Sequence, residues 1–315
     1  MPTAAIEARG LVKRYGDVTA VDQVDLVVAA NSIYALLGPN GAGKTTTLNI
    51  LTTLTLPTAG TAQVAGFDVV KQAADVRRHI GVTFQDIVLD RDLTGRQVLD
   101  IHGQLYRLSR AERRQRIADL VALVQLEEAI DRDVKTYSGG MKRRLELARG
   151  LMTDPLILFL DEPTQGLDPQ NRVGIWDYIR MLNRERGLTV LLTTHYMEEA
   201  EALAQRVGII DNGKMVIEGS PAALSSTIGA ELIRVQGIGD YLHFVDRLHS
   251  LEFVQRIDID APAGIIHIYV DNSNRRLVDV VNAASSNGFR VEDITVARPT
   301  LGDAFLHYTG RALRD

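Results

Sequence analysis

Residues 1–220 alternate short apolar, β-branched runs with longer stretches of helical periodicity. Apolar residues at helical spacing run from about Asp92 to Glu128, which predicts a helical subdomain within residues 86–150. Strands that alternate with helices are typical of an α/β domain, so residues 1–220 are predicted to form one, with a mixed sheet. Its predicted buried strands are Ile33–Leu37, Leu156–Leu160 and Leu188–Thr193.

A different pattern follows the turn-forming residues Gly219-Ser220-Pro221, and residues 221–315 are predicted to form a small α+β accessory or interaction domain. The βαββαβ order of its predicted elements is ferredoxin-like. A last helix, Leu301–Tyr308, carries a narrow apolar stripe that either covers its own sheet or docks on a partner. The six earlier elements are Glu231–Val235, Tyr241–Leu251, Val254–Ile259, Ile265–Val270, Arg275–Ser286 and Phe289–Val296.

Composition narrows the classes of protein that fit these patterns. The 315 residues include no cysteine, which excludes disulfides and thiolate metal sites. The formal net charge of −5 argues against a broadly basic nucleic-acid surface, so no nucleic-acid partner is expected. No run approaches the roughly 20 apolar residues of a bilayer span, and charged residues such as Arg9 and Lys13 interrupt the N-terminal segment. Any membrane role is therefore expected to act through a separate partner.

A glycine-rich segment directly after the first buried strand matches the phosphate-binding pattern GxxxxGK[ST] in full. It consists of Gly38, Pro39, Asn40, Gly41, Ala42, Gly43, Lys44 and Thr45. Glycines let successive backbone N–H groups turn toward one anion, and the helix that follows adds a partial positive charge. We expect Lys44 to reach the β- and γ-phosphates of ATP, the Thr45 hydroxyl to bind Mg²⁺, and Thr46 to lie in the same site.

Two carboxylates, Asp161 and Glu162, end the second buried strand. Because parallel strands present ligands at their carboxyl ends, Asp161 is predicted to lie beside the phosphates and to hold Mg²⁺, directly or through water. Glu162 is predicted to polarise the attacking water. In isolation, the same pair would be interpreted as a polar strand end before Pro163.

A second helix start suited to an anion occurs at Ser138, Gly139 and Gly140, with Ser138 as the expected cap. Gly140 lies 21 residues before Asp161, and one chain does not obviously use both for a single nucleotide. A dimer in which each chain lends this loop to the other's nucleotide resolves the difficulty. The alternative is an ordinary capped helix.

Together, these residues resemble the nucleotide-binding domain of ABC transporters over roughly Ile6 to Glu218. The family's signature loop usually reads LSGGQ. Here Tyr137 and Met141 flank the retained Ser-Gly-Gly core. The resemblance implies ATP and Mg²⁺ as ligands and a homodimer that sandwiches two ATP. It also implies a transmembrane permease subunit that holds the chain at the cytoplasmic face of the membrane.

The resemblance assigns roles to four further residues. Tyr15 resembles the aromatic residue that stacks on adenine, and Gln85 the glutamine that touches Mg²⁺ or the attacking water. Asp168 resembles the carboxylate of the loop at the dimer seam, and His195 the switch histidine that contacts the γ-phosphate. With Glu162, Gln85 and His195 complete the expected catalytic set.

The whole chain resembles the daunorubicin-resistance group of ABC ATPases, which implies export of drugs, antibiotics or lipids. The alternatives are a soluble ABC ATPase with a regulatory or nucleic-acid- or ribosome-linked role, and a regulatory module that binds ATP without hydrolysing it. The basic run from Arg107 to Arg116 also has two interpretations. It is either a solvated helix face or a surface that docks near anionic lipid or the permease.

Overall fold

A computed structural model describes residues 4–226, 231–260, 264–286, 289–297 and 299–310 of the chain. The chain forms two compact units, Met1–Glu218 and Gly219–Asp315.

The elements of the first unit alternate strands and helices along the chain. They are β1 (Ala4–Tyr15), β2 (Val18–Ala29), β3 (Ile33–Leu37), α1 (Lys44–Leu51), β4 (Ala59–Val64), β5 (Phe67–Asp68), α2 (Ala73–His79), β6 (Ile80–Thr83), α3 (Gly95–Leu105), α4 (Arg110–Leu123), α5 (Gly139–Gly150), β7 (Ile157–Asp161), α6 (Pro169–Arg186), β8 (Thr189–Thr194), α7 (Met197–Leu203), β9 (Arg206–Asp211) and β10 (Lys214–Gly219).

The central sheet of this unit has the strand order β10-β9-β3-β8-β7-β6, and β9, β3, β8, β7 and β6 pair in parallel. Every residue of β3, β7 and β8 is buried, as their continuous apolar sequences predict. Leu37 pairs with Thr194, and Asp161 pairs with Thr193. The three strands therefore end at one edge, where Gly38, Glu162 and His195 follow them.

A second, antiparallel sheet has the order β2-β1-β4-β5. Burial largely alternates along β2, because one face of this sheet packs inward. One apolar cluster joins both sheets and α1, and it includes Ile6, Val24, Leu36, Leu48 and Phe159. The two sheets consequently share a core that holds β3 and α1 in place.

Three helices, α3, α4 and α5, lie within residues 86–150, the range of the predicted helical subdomain. Side-chain caps determine where α3 and α4 begin. Thr94 and Gln97 form a reciprocal capping box at α3, and Ser109 and Glu112 form another at α4.

The second unit contains α8 (Pro221–Ser226), β11 (Glu231–Gly239), α9 (Tyr241–His249), β12 (Val254–Asp260), β13 (Ile265–Val270), α10 (Ser273–Ser286), β14 (Phe289–Ala297) and α11 (Leu301–Thr309). Its sheet has the order β12-β13-β11-β14 with antiparallel pairing throughout. This is the ferredoxin-like arrangement that the βαββαβ order predicts. One face of the sheet forms an apolar core that contains Ile233, Phe244 and Ile268.

The apolar stripe of α11 is buried inside this second unit. Leu301 and Phe305 are fully buried, and α11 packs against α8. Beside them the Asp303 carboxylate accepts hydrogen bonds from Arg234 Nη2 at 2.7 Å and pairs with His267 Nδ1 at 2.8 Å. Of the two interpretations of the stripe, the structure therefore supports cover of the unit's own sheet.

None of the helices in the described ranges combines the length and the apolar character that a membrane span requires.

Because Phe305 is fully buried, we expect Phe305→Ser to lower the free energy of unfolding by about 3–5 kcal/mol, the usual cost of truncating a buried phenylalanine. Calorimetry of the full chain should show a large fall in the melting temperature of the second unit. Leu242→Ser is the control, because Leu242 is 74% exposed and its loss should leave the melting temperature unchanged. An unchanged melting temperature in Phe305→Ser would contradict the packing role.

Candidate functional site

The glycine-rich loop Gly38–Thr45 joins β3 to α1, and its backbone demands glycine. Gly41 and Gly43 have φ of 81° and 103°, a region that other residues rarely adopt. A Cβ on Gly38 would lie 2.3 Å from the Ile210 carbonyl oxygen, so no side chain fits there. The loop consequently curves tightly at the start of α1, as an anion-binding loop must. Within it, the Pro39 carbonyl accepts from the Ala42 N–H at 3.1 Å, while Asn40 is exposed and Thr46 is half-buried.

Lys44 supplies a buried cation at the centre of this loop. Its side chain is 4% exposed. Nζ donates to the carbonyl oxygens of Gly38 at 2.8 Å and Pro39 at 3.2 Å. It also forms an ion pair with Glu162 Oε1 at 3.1 Å. The lysine therefore connects the glycine-rich loop directly to the carboxylate at the end of β7.

Asp161 ends β7 beside Thr45 and Thr193. Its Oδ1 accepts hydrogen bonds from the Thr45 hydroxyl at 3.2 Å and from the Thr193 hydroxyl. Burial raises the pKa of the Asp161 carboxyl, and the two hydroxyl donors partly offset that rise. A hydroxyl next to a buried carboxylate is a donor set that suits Mg²⁺, which prefers oxygen ligands and retains water. These two residues therefore fit the predicted magnesium site.

Glu162 adopts a left-handed backbone conformation with φ of 48°, which is strained for a side-chain-bearing residue. Its N–H donates to the carbonyl and to the hydroxyl oxygen of Thr193, each at 3.1 Å. Its Oε2 lies 3.0 Å from His195 Nδ1 without the alignment of a hydrogen bond. Glu162 thus lies between the Lys44 ammonium and the His195 ring, with only 4% of its side chain exposed.

Gln85 lies against the loop that follows β7. Its Nε2 donates to Gln165 Oε1 at 2.8 Å. Among the hydrogen bonds of the described residues, Gln85 is joined to this loop and not to Asp161 or Thr45. Asp168 lies three residues after Gln165 in the same loop. Its side chain caps α6 by accepting from the Asn171 backbone N–H at 3.0 Å.

The Ser-Gly-Gly segment forms the N-terminus of α5, and Ser138 caps it by accepting from the Met141 N–H at 3.2 Å. A Cβ on Gly140 would lie 2.7 Å from Asn171 Oδ1, so the starts of α5 and α6 are in contact. Tyr137 is a packing residue, because it is 5% exposed and its hydroxyl donates to the Ala129 carbonyl at 2.6 Å. The tyrosine of YSGGM therefore acts within the helical subdomain.

Tyr15 ends β1 with half of its side chain exposed. Lys13 Nζ lies 4.9 Å from the centre of its ring. An exposed tyrosine ring offers a stacking surface to a purine.

Sequence patterns did not single out three polar residues beside the site. The Thr193 hydroxyl contacts both Asp161 and Glu162. The fully buried Glu199 accepts from Thr164 Oγ1 at 2.8 Å and from Trp176 Nε1 at 3.0 Å, and burial raises its pKa. Arg143 is 3% exposed, and its guanidinium donates to the backbone carbonyls of Phe84, after β6, and Pro163, after β7. Glu199 and Arg143 lie in charged runs of the sequence that resemble solvated helix faces, so no sequence pattern distinguished them from exposed residues.

Comparison with known proteins agrees with this geometry. The ABC transporter family model matches residues 21–165. The daunorubicin/doxorubicin resistance ATP-binding protein of Streptomyces peucetius is 41% identical, over 100% of this chain and 95% of its own length. The Nod factor export ATP-binding protein I of Paraburkholderia xenovorans is also 41% identical, over the full length of both chains.

Two solved structures resemble the ATPase part of the chain. A dimeric ATP-binding cassette in a post-hydrolysis state, bound to ADP and Pi, has a TM-score of 0.62 and 28% identity. It covers 68% of this chain and 98% of its own. The cbiO1 subunit from Clostridium perfringens has a TM-score of 0.66 and 25% identity, and covers 72% of this chain and 93% of its own. Both are ABC ATPase cassettes with the P-loop α/β fold described above. The relatives at 41% identity over the whole chain, together with the fold, show that the chain belongs to the ATP-binding, ATP-hydrolysing subunits of ABC transporters.

Proposed function

We propose that this ABC ATPase powers the export of a drug, an antibiotic or a lipid, as a homodimer that encloses two ATP molecules and drives a separate permease. Relatives named for daunorubicin/doxorubicin resistance and for Nod factor export support the direction of transport. The permease would hold the chain at the cytoplasmic face of the membrane. A net charge of −5 gives no support for a nucleic-acid partner.

One observation carries the site assignment. Lys44, Glu162 and His195 follow three separate strands and meet at the carboxyl edge of the sheet, next to Asp161. The Glu162 carboxylate lies 3.1 Å from Lys44 Nζ and 3.0 Å from His195 Nδ1. A buried cation between a glycine-rich loop and a carboxylate pair is the arrangement that phosphoryl transfer to water requires.

In this proposal the backbone N–H groups of Gly38–Thr45 and the Lys44 ammonium bind the β- and γ-phosphates, and Tyr15 stacks on the adenine. Thr45 and Asp161 would hold Mg²⁺, with Gln85 as a further contact to the metal or the attacking water. Bound Mg²⁺ neutralises phosphate charge. That contact would use the Gln85 amide oxygen, while its Nε2 donates to Gln165 Oε1 at 2.8 Å.

Glu162 is the proposed general base. Its carboxylate accepts a proton from the attacking water while the oxygen–phosphorus bond to water forms and the bridging bond to ADP breaks. The products are ADP and inorganic phosphate. His195, 3.0 Å from Glu162 Oε2, donates a hydrogen bond to a γ-phosphate oxygen from its facing ring nitrogen.

The dimer completes each site in trans. Ser138, Gly139 and Gly140 form a helix start of the kind whose backbone N–H groups bind phosphate, and they would contact the γ-phosphate bound by the partner. The cap at Asp168 and the contact between α5 and α6 hold this start beside the loop proposed to cross the dimer seam.

A groove on the helical subdomain is the proposed docking site for the permease. It encloses about 610 Å³ between α3 and α4 and is lined by apolar and basic side chains, among them Ile101, Arg110 and Arg114. Two other arginines of the basic run are already paired: Arg113 with Asp100 at 2.6 Å and Arg116 with Asp154 at 2.8 Å. Only part of the run is therefore available to a partner.

Glu162→Gln should bind ATP like the parent and hydrolyse it roughly 10²-fold more slowly or worse, because an amide cannot accept the proton. ATPase assays measure the rate, and light scattering should detect an ATP-stabilised dimer. Glu198→Gln is the control, since Glu198 is exposed in the same region. Turnover near that of the parent in Glu162→Gln would remove Glu162 from the role.

Lys44→Ala should abolish tight ATP binding, because the substitution removes the one cation that this loop directs at the phosphates. Isothermal titration calorimetry checks the affinity, with the exposed Lys71→Ala as the control. Equal ATP affinity in Lys44→Ala and the parent would contradict the site assignment.

Mixing Lys44→Ala with Gly139→Asp should recover part of the ATPase activity that each variant lacks alone. In the mixed dimer one composite site carries both defects and the other carries neither. Gly139 suits this test better than Gly140, because a Cβ at Gly139 meets only the Leu167 side chain, at 3.7 Å. No recovery in a proven mixed dimer would count against sites completed in trans.

A further inference from the structure

Arg143 lies three residues beyond Gly140 in α5, and its guanidinium is almost completely buried at 3% exposure. An arginine has five N–H donors in a rigid plane, and here each has an acceptor. Nε donates to the Pro163 carbonyl at 2.6 Å. Nη2 donates to the carbonyls of Asp161 at 3.1 Å and Glu162 at 2.9 Å. Nη1 donates to the Phe84 carbonyl at 2.7 Å and to Glu146 Oε2 at 2.9 Å.

Four of these five acceptors are backbone carbonyls in the segments that carry Asp161, Glu162 and Gln85. Three are consecutive carbonyls across the end of β7, and the fourth is the carbonyl of Phe84, the residue before Gln85. A single side chain from α5, the signature helix that begins at Ser138-Gly139-Gly140, therefore holds the backbone at Phe84 and at the end of β7.

Glu146 supplies the charge that this buried guanidinium needs. It is fully buried, one turn from Arg143 on the same helix. Its other oxygen lies 3.4 Å from Arg149 Nη2, while Arg149 Nη1 donates to the Val88 carbonyl at 2.9 Å. Burial raises the pKa of the Glu146 carboxyl, and the two arginine charges oppose that rise. The Arg143–Glu146–Arg149 triad consequently holds the segment from Phe84 to Val88 at both ends.

The strain at Glu162 explains why such a contact matters to function. A left-handed non-glycine residue persists only where its surroundings over-determine it. Thr193 holds the Glu162 N–H from one side, and Arg143 holds its carbonyl oxygen from the other. The Gln165 N–H also donates to that carbonyl oxygen, at 3.2 Å. Loss of Arg143 therefore removes the side-chain donor and loosens the backbone that aims the Glu162 carboxylate.

We propose that Arg143 is a positioning residue: it holds Glu162 in its strained conformation and couples that conformation to the Gln85 loop and to the signature helix that would contact the partner's nucleotide. The inference rests on the role proposed for Glu162. Movement of α5, imposed by a partner chain or by a permease on the helical subdomain, would then reorient the base through one guanidinium.

Arg143→Lys tests the geometry while keeping the charge, because an ammonium cannot form the five-donor planar contact. We expect kcat to fall roughly 10- to 100-fold, the range for a misplaced catalytic group, with KM for ATP within about threefold of the parent. Amide hydrogen exchange should become faster at residues 84–88 and 161–166. Arg144→Lys is the matched control. It is the next residue of the helix, and it donates to the carbonyls of Val124 and Gln125 within the helical subdomain.

A second variant separates positioning from folding. Arg143→Met leaves Glu146 with a weakened counter-charge and is expected to destabilise the protein, whereas Arg143→Met with Glu146→Leu removes both charges and is expected to fold. If Arg143 positions Glu162, the double variant should melt above Arg143→Met, because no buried carboxylate is left without its partner, and still show the low kcat and fast exchange. Parent-like kcat in the double variant would overturn the inference.

The exchange measurement does not depend on turnover. It therefore distinguishes the positioning role proposed for Arg143 from the general-base role proposed for Glu162. Unchanged exchange at residues 161–166 in Arg143→Lys overturns the inference about Arg143, whatever the activity of Glu162→Gln. Faster exchange there, with lowered kcat and an inactive Glu162→Gln, supports both.

Discussion

The parallel pairing of β3, β7 and β8 is the constraint on which the rest of the site depends. Because the strands run in one direction and end in register, the residues that follow them meet at one edge of the sheet. The chain can therefore bring together Lys44, Glu162 and His195, which are far apart in sequence, without any of them lying on a long loop. The fully buried strands gain their stability from apolar contact, and the polar chemistry is confined to their ends.

At that edge, side chains of opposite charge are buried close together. The Lys44 ammonium and the Glu162 carboxylate are each 4% exposed, and Asp161 is 2% exposed. Burying an unpaired charge is costly, so such a group needs a partner of opposite charge or hydrogen bonds. The loop carbonyls around Lys44 and the threonine hydroxyls around Asp161 provide that bonding. The same low-dielectric surroundings strengthen every interaction made with a phosphate there.

The sequence predicted the fold class and the family because each depends on local signals. The glycine-rich loop needs specific backbone conformations, and the apolar run before Asp161 has the length of a buried strand. The ferredoxin-like order of the second unit followed from the same alternation of patterns. The contacts of individual charged residues could not be predicted in this way. Arg143 and Arg144 are adjacent and chemically identical, yet Arg143 is buried against the carbonyls of Glu162 and Pro163, whereas Arg144 donates to the carbonyls of Val124 and Gln125. Only the tertiary packing of α5 on β7 distinguishes them, just as only the packing of α11 on its own unit decided between the two roles of its stripe.

The contact between Trp176 and Glu199 has a practical consequence. Trp176 is the single tryptophan of the chain, and its indole N–H donates to the same Glu199 oxygen that accepts from Thr164, two residues beyond Glu162. Its ultraviolet emission therefore originates from one known position next to the loop that follows Glu162, with no other indole to obscure it. The protein carries its own unlabelled optical reporter, and rearrangement of this loop during a catalytic cycle becomes measurable by stopped-flow fluorescence on the natural sequence.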